Sequence, residues 1–160
     1  MDKKKNMIIG ALIVGMAVFL LGCAPAAQQD SEGAPVPSGI KATIFKSPGC
    51  GCCDVYSQYM GKEGYAVDMN TVDNMGEIKR KLNVPPQLQS CHTSEIGGYF
   101  VEGHVPNEAI AKLLAEKPDI AGIALPGMPS GSPGMPGKKS GTWVIYAVQH
   151  DGSYTEFMRV

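Results

Sequence analysis

The sequence has no surplus of positive charge. Its 160 residues carry 14 Lys and Arg against 15 Asp and Glu, a formal net charge of −1. That balance argues against nucleic acid as a partner and supplies no net attraction to anionic lipid. A second C-x-x-C pair is also missing: the five cysteines stand at 23, 50, 52, 53 and 91. Structural zinc sites commonly use two separated cysteine pairs, and C-x-C-C is poor spacing for one of them.

What the chain does have begins with Lys3, Lys4 and Lys5, followed by the charge-free apolar run MIIGALIVGMAVFLLG over 7–22 and then Cys23. A basic start, a short apolar core and small Gly22 before a cysteine resemble a lipoprotein signal, the alternative being an uncleaved membrane anchor. The expectation is a signal peptide over 1–22, a lipidated Cys23 opening a tether over 23–39, and a domain over 40–160 held outside the cytoplasm. The segment APAAQQDSEGAPVPSG (24–39) has no apolar periodicity and reads as a flexible linker. Cleavage before Cys23 leaves 11 basic and 14 acidic residues, a charge of −3. Attachment to a membrane would then come from the lipid alone. The remaining length suffices for one domain with its own core.

Within 40–160 the patterns alternate. IKATIFKS reads as a strand, broken by Pro48 and Gly49. GCCDVYSQYMGKEG has helical spacing, with Val55, Tyr59 and Met60 on one side and Gly61 or Gly64 at its end. YAVDMNTV is a second strand, and Asn74 is positioned to cap a helix MGEIKRKLN that stops at VPP. The loop PQLQSCHTSEIGG leads to a third strand, GYFVEGH. Pro106 suits the first turn of a helix PNEAIAKLLAEK with Ile110, Leu113 and Leu114 inward. A Gly/Pro/Met-rich loop over 126–137 precedes a hairpin, TWVIYAVQ and SYTEFMRV, turned at Asp151-Gly152. The order β, α, β, α, β, α, β, β, with C-x-x-C at the first strand-to-helix junction, predicts a thioredoxin-like α/β fold: a mixed central sheet flanked by helices.

Cys50 and Cys53 stand where a helix starts. Free amide hydrogens and the helix dipole there favour thiolate, the form that attacks disulfides and also binds soft metals. Cys52 weighs toward metal, because a disulfide oxidoreductase needs one attacker and one resolver, whereas a metal site gains from a third sulfur. Once lipidation has used Cys23, four cysteines remain, and in an oxidising compartment they would ordinarily pair as two disulfides. Adjacent Cys52 and Cys53 fit that pairing poorly. Cys91 and His92 lie on a loop that could face the first cluster, and His104 ends a strand. Met128 and Met135 recur in P-G-M-P seven residues apart, in a loop too Gly-rich to be core. Thioethers and thiolates together favour Cu(I), and bridging sulfurs could hold about two to four ions. Met60, Met69, Met75 and Met158 fall in helix or strand patterns and read as packing.

KSPGCGCC, VPPQLQSCHT, GGYFVEGHVP and GMPSGSPGMPG, in that order over residues 40–160, resemble segments of the CopG-type copper-resistance proteins. The resemblance implies a thioredoxin-like fold, a copper site built from cysteines, and a role in handling excess copper. By motif, Cys50, Cys52, Cys53 and Cys91 would be sulfur ligands, and His92, His104, Met128 and Met135 match further family positions. The expected partners are copper ions, the membrane through the lipid, and copper-exporting or copper-chaperone proteins, with no nucleic acid. The competing expectation is a thiol–disulfide oxidoreductase in which Cys50 attacks and Cys53 resolves.

Overall fold

The computed structural model describes residues 38–160; the expected signal, Cys23 and nearly all of the tether lie outside them. Strand β1 (Lys41–Lys46) alternates outward and inward side chains and leads into helix α1 (Gly51–Lys62). Strand β2 (Ala66–Thr71) returns parallel to β1, the outcome a helical crossover imposes. Helix α2 (Met75–Lys81) and a 3₁₀ turn, Pro86–Leu88, precede β3 (His92–Ile96) and β4 (Tyr99–Glu102). Helix α3 (Asn107–Glu116) then crosses to β5 (Gly122–Ala124), and β6 (Val144–Val148) and β7 (Tyr154–Arg159) close the chain.

The seven strands of the described residues form one mixed sheet in the order β2-β1-β3-β4-β5-β6-β7. The β1/β2 and β4/β5 pairs are parallel and the others antiparallel. The expected thioredoxin-like architecture is therefore present in β1 to α3, extended at one side by β5 to β7. One sheet face packs Ala42, Ile44, Ile96, Val101 and Ile123 against Tyr56 and Met60 of α1 and Ile110 and Leu113 of α3. The other face carries a smaller cluster around Val84, Leu88 and Phe100. Among the described residues no helix is long and apolar enough to cross a membrane.

Two strands escaped the sequence patterns. The segment read as a loop contains β3, because His92, Thr93 and Ser94 look polar yet are wholly buried. Gly97 and Gly98, at φ 59° and 90°, turn β3 directly into β4, and a two-residue turn of this kind needs positive φ at both positions. Strand β5 is only three residues long, too short to show a period. On α1 the buried stripe is Cys53, Tyr56 and Met60 rather than the Val55 side; Val55 is 51% exposed. Asn74 does precede α2, but its side chain donates to Glu77 Oε1 at 3.1 Å instead of capping the backbone. Pro106 sits one position before α3 begins.

Candidate metal centre

The centre forms where β1 ends, β3 begins and β4 ends, at one end of three neighbouring interior strands. After β1, Gly49 adopts φ 74° and Cys50 takes the position that starts α1. Cys50 and Cys53 are joined as a disulfide with Cα atoms 5.4 Å apart. Cys53 faces the core with no exposure, whereas Cys52 is part-exposed. Cys91, just before β3, brings its Sγ to 3.8 Å from that of Cys53, and Cys50 Sγ lies 3.6 Å from Cys52 Sγ. The four sulfurs all fall within 4.8 Å of one another. Two of the four sulfurs are thus bonded to each other, and two, Cys52 and Cys91, are free thiols.

Cys91 belongs to a second group as well. Its Sγ is 3.2 Å from His92 Nδ1 and 3.0 Å from His104 Nε2, and both imidazoles are wholly buried. His104 Nδ1 donates to the Pro133 carbonyl at 2.6 Å, which fixes the tautomer and leaves the Nε2 lone pair aimed at Cys91. Among the described residues His92 Nε2 has no hydrogen-bond partner. Tyr56 forms the floor, its ring 4.5 Å from that of His92 and 5.4 Å from that of His104. Its hydroxyl donates to the Val105 carbonyl at 2.9 Å.

Burial keeps these groups uncharged. Desolvation, with His104 and Lys79 adding to it, pushes His92 down to about 3. Burial likewise lowers His104, against the opposing pull of the Pro133 hydrogen bond. Burial first, then nearby Cys52, pushes the Cys91 thiol up to about 12. Without metal, Cys91 is therefore a neutral thiol whose S–H faces the His104 acceptor. A soft cation held here would displace that proton, so loading would release acid.

The P-G-M-P loop reaches the centre at one end. Met135 lines a cavity of about 450 Å³ with Gly51, Cys52, Val55, Gly134 and Pro136. Met128 stands outside that lining, 40% exposed and at φ 49°. Gly134, at φ +84°, lies so close to α1 that a Cβ would meet Cys52 O and Tyr56 N at 2.8 Å each. Both atoms are backbone and cannot yield. Gly134→Ala is accordingly expected to lift the loop off α1, weaken the Pro133–His104 bond and lower Tm by about 5 °C or more, read by thermal melting and by the His104 imidazole NMR signals.

Some site residues were not singled out from sequence. Tyr56 was detectable in principle, three residues after Cys53 and four before Met60. Lys46 pairs with Asp54 in the first turn of α1. Glu102 and Lys79 form a buried ion pair at 2.5 Å; their only sequence trace is an acid inside the apolar strand YFVEG.

These features define a thioredoxin-like domain whose C-x-x-C end carries a sulfur- and imidazole-lined centre able to hold a metal ion. Two solved structures of copper resistance protein CopG, form 1 and form 2, are similar to it. Each is 34% identical in sequence, with TM-scores of 0.71 and 0.72, covering 77% of this chain and 98% and 99% of theirs. The chain belongs to the CopG copper-resistance family. A family described as a protein of unknown function, DUF411, also matches residues 88–135, from Leu88 through Cys91, His92 and His104 to Met135. Comparison with curated proteins found no match.

Proposed function

We propose that this protein takes up Cu(I) outside the cytoplasm as part of copper resistance. It binds the metal through the thiolates of Cys50, Cys52, Cys53 and Cys91, and more than one ion is shared among them. The observation that carries this reading is the mutual approach of four sulfurs within 4.8 Å, with Cys91 common to a second group containing His92 and His104. Soft, closely spaced sulfur favours Cu(I) over harder ions. Met135 supplies a thioether at the open side, and Met128 reaches the metal only if its loop end folds inward. Full thiolate ligation requires the Cys50–Cys53 disulfide to accept two electrons and two protons from an external dithiol. The same couple would let copper exchange electrons with the thiols and pass between Cu(I) and Cu(II). Lipidation at Cys23 keeps the domain at the membrane, where copper-exporting or copper-chaperone proteins would deliver or remove the ion.

The test is metal analysis of the reduced protein loaded anaerobically with Cu(I). More than one copper per chain, with all four thiols protected from alkylation, is the expected result. Cys52→Ser should lower retained copper by roughly one ion per chain, since a bridging sulfur is lost; unchanged stoichiometry would remove the four-sulfur site.

The disulfide at the start of α1 favours one alternative, a thiol–disulfide oxidoreductase. Part-exposed Cys50 and buried Cys53 match the attacker and resolver such chemistry needs. Insulin reduction that survives Cys52→Ser and Cys91→Ser but vanishes in Cys50→Ser would select it.

A further inference from the structure

Cys91 is the hub of the centre, yet it lies on the short link between a 3₁₀ turn and a strand, a segment with few ladder hydrogen bonds of its own. Something must hold it in place, and the holding groups lie on the opposite face of the sheet. Side chains alternate along a strand, so on β3 and β4 the centre's face carries His92 and Val101 while the far face carries Thr93 and Glu102. Glu102 is wholly buried there. Its Oε1 accepts from the backbone N–H of Ser90 at 2.5 Å and from Lys79 Nζ at 2.5 Å. Its Oε2 accepts from the Thr93 hydroxyl at 2.6 Å, and that hydroxyl in turn accepts from Lys79 at 3.0 Å. Next along the chain, the Gly103 N–H donates to the His92 carbonyl at 3.0 Å. Gly103 sits so close to Ser90 that a Cβ would lie 2.7 Å from its Cβ and Oγ.

We propose that Glu102 is a positioning residue of the metal centre: its carboxylate clamps the Ser90 N–H and so holds Cys91 between the sulfurs and the two imidazoles, with Lys79 and Thr93 fixing the carboxylate. A buried ion pair is weak evidence for stability in itself, because desolvation offsets most of the attraction. This one is explained by where its free lone pair points, at the residue preceding the shared ligand. One carboxylate thereby sets the relation between Ser90–His92, leading into β3, and Gly103–His104, just past the end of β4. The proposal rests on the copper-binding reading only for its consequence, since the clamp itself is a property of the metal-free chain.

The experiment compares Lys79→Met/Glu102→Leu with Lys79→Met/Glu102→Gln in the full chain. Both remove the buried charges and keep the volume; only the glutamine retains an acceptor for Ser90. With the Cys50–Cys53 disulfide intact, Cys52 and Cys91 are alkylated by iodoacetamide and their rates read separately by peptide mass. The leucine variant should expose Cys91 about three- to tenfold faster than the glutamine variant, the effect of one hydrogen bond on a local opening, with Cys52 unchanged. After reduction, its retention of Cu(I) against a chelator should fall about tenfold, within the range that outer groups confer on metal sites, and the glutamine variant should recover it. Should the leucine variant not fold, Glu102→Asp keeps the charge but is one methylene too short to reach Ser90, and selective acceleration at Cys91 is again expected. Equal Cys91 rates, or Cys52 rising alongside, would overturn the assignment. Failure of the unsubstituted chain to hold copper, with the alkylation split intact, would remove the copper reading and leave the clamp standing.

Discussion

Cys91→Ser is expected to lower Cu(I) affinity by at least about a hundredfold and to reduce the number of ions bound, with little effect on folding. The reason is its double membership: it is the one residue shared by the four-sulfur group and the Cys91–His92–His104 group. Removing it breaks both, whereas Cys52→Ser leaves the imidazole group complete. Groups one shell out from a metal commonly account for ten- to a hundredfold in affinity, so loss of a ligand common to both groups should reach or exceed the upper end. Folding should survive because the serine hydroxyl can still donate to His104 Nε2, which Cys91 Sγ approaches at 3.0 Å. The stability change should stay within about 1–2 kcal/mol. Competition with a Cu(I)-selective chelator, alongside urea unfolding of the metal-free variant, measures both quantities. An affinity loss no larger than that of Cys52→Ser would show that Cys91 is not the hub.

Acidification of the metal-free protein should destabilise it by about 2–3 kcal/mol between pH 6.5 and pH 4.5. His92 is held neutral by burial, its pKa near 3 against an ordinary 6.5. Below 6.5 the unfolded chain binds a proton that the folded chain refuses. Stability is therefore fully present above pH 6.5 and is lost steadily as pH falls toward 3. His104, lowered for the same reason, adds in the same direction. Glu102 works the other way: burial raises its pKa above 4.5 despite Lys79 and its hydrogen-bond donors, so protonating it on acidification relieves a cost and offsets part of the loss. Urea unfolding across this range reads the slope, and His92→Phe, which keeps a ring beside Tyr56, should flatten it. A wild-type profile flat to within about 0.5 kcal/mol would mean that His92 is not buried neutral.

How much of this was legible beforehand differs from element to element. The first strand, the helix opening at the cysteines, the parallel return and the C-terminal hairpin each carry a local period or a turn signal, and each formed where the pattern put it. Strand β3 did not announce itself, because its inward residues His92 and Ser94 are polar and alternation cannot be read when both faces look hydrophilic. Val55 was read as inward because helical spacing finds a stripe but not which neighbouring stripe meets the sheet. The ligand candidates were named by residue type, and the fold brings Cys50, Cys52, Cys53, Cys91, His92 and His104 together. Met135 joins their rim, while Met128, identical in its local motif, faces outward. Identical tetrapeptides separated because only the second is pressed against α1 through Gly134.

The sequence by itself determined the kinds of donor available and the helix start that carries three of them, since softness is a property of side chains and C-x-C-C is local. It also determined the thioredoxin-like order of elements. Only the tertiary structure decided which sulfurs are joined, that Cys91 serves two groups, that both histidines are buried and neutral, and that Glu102 grips the far side of the same hairpin. Those facts depend on distances between residues 12 to 49 positions apart in the chain, and such distances are set by sheet register and helix packing, which no local pattern encodes.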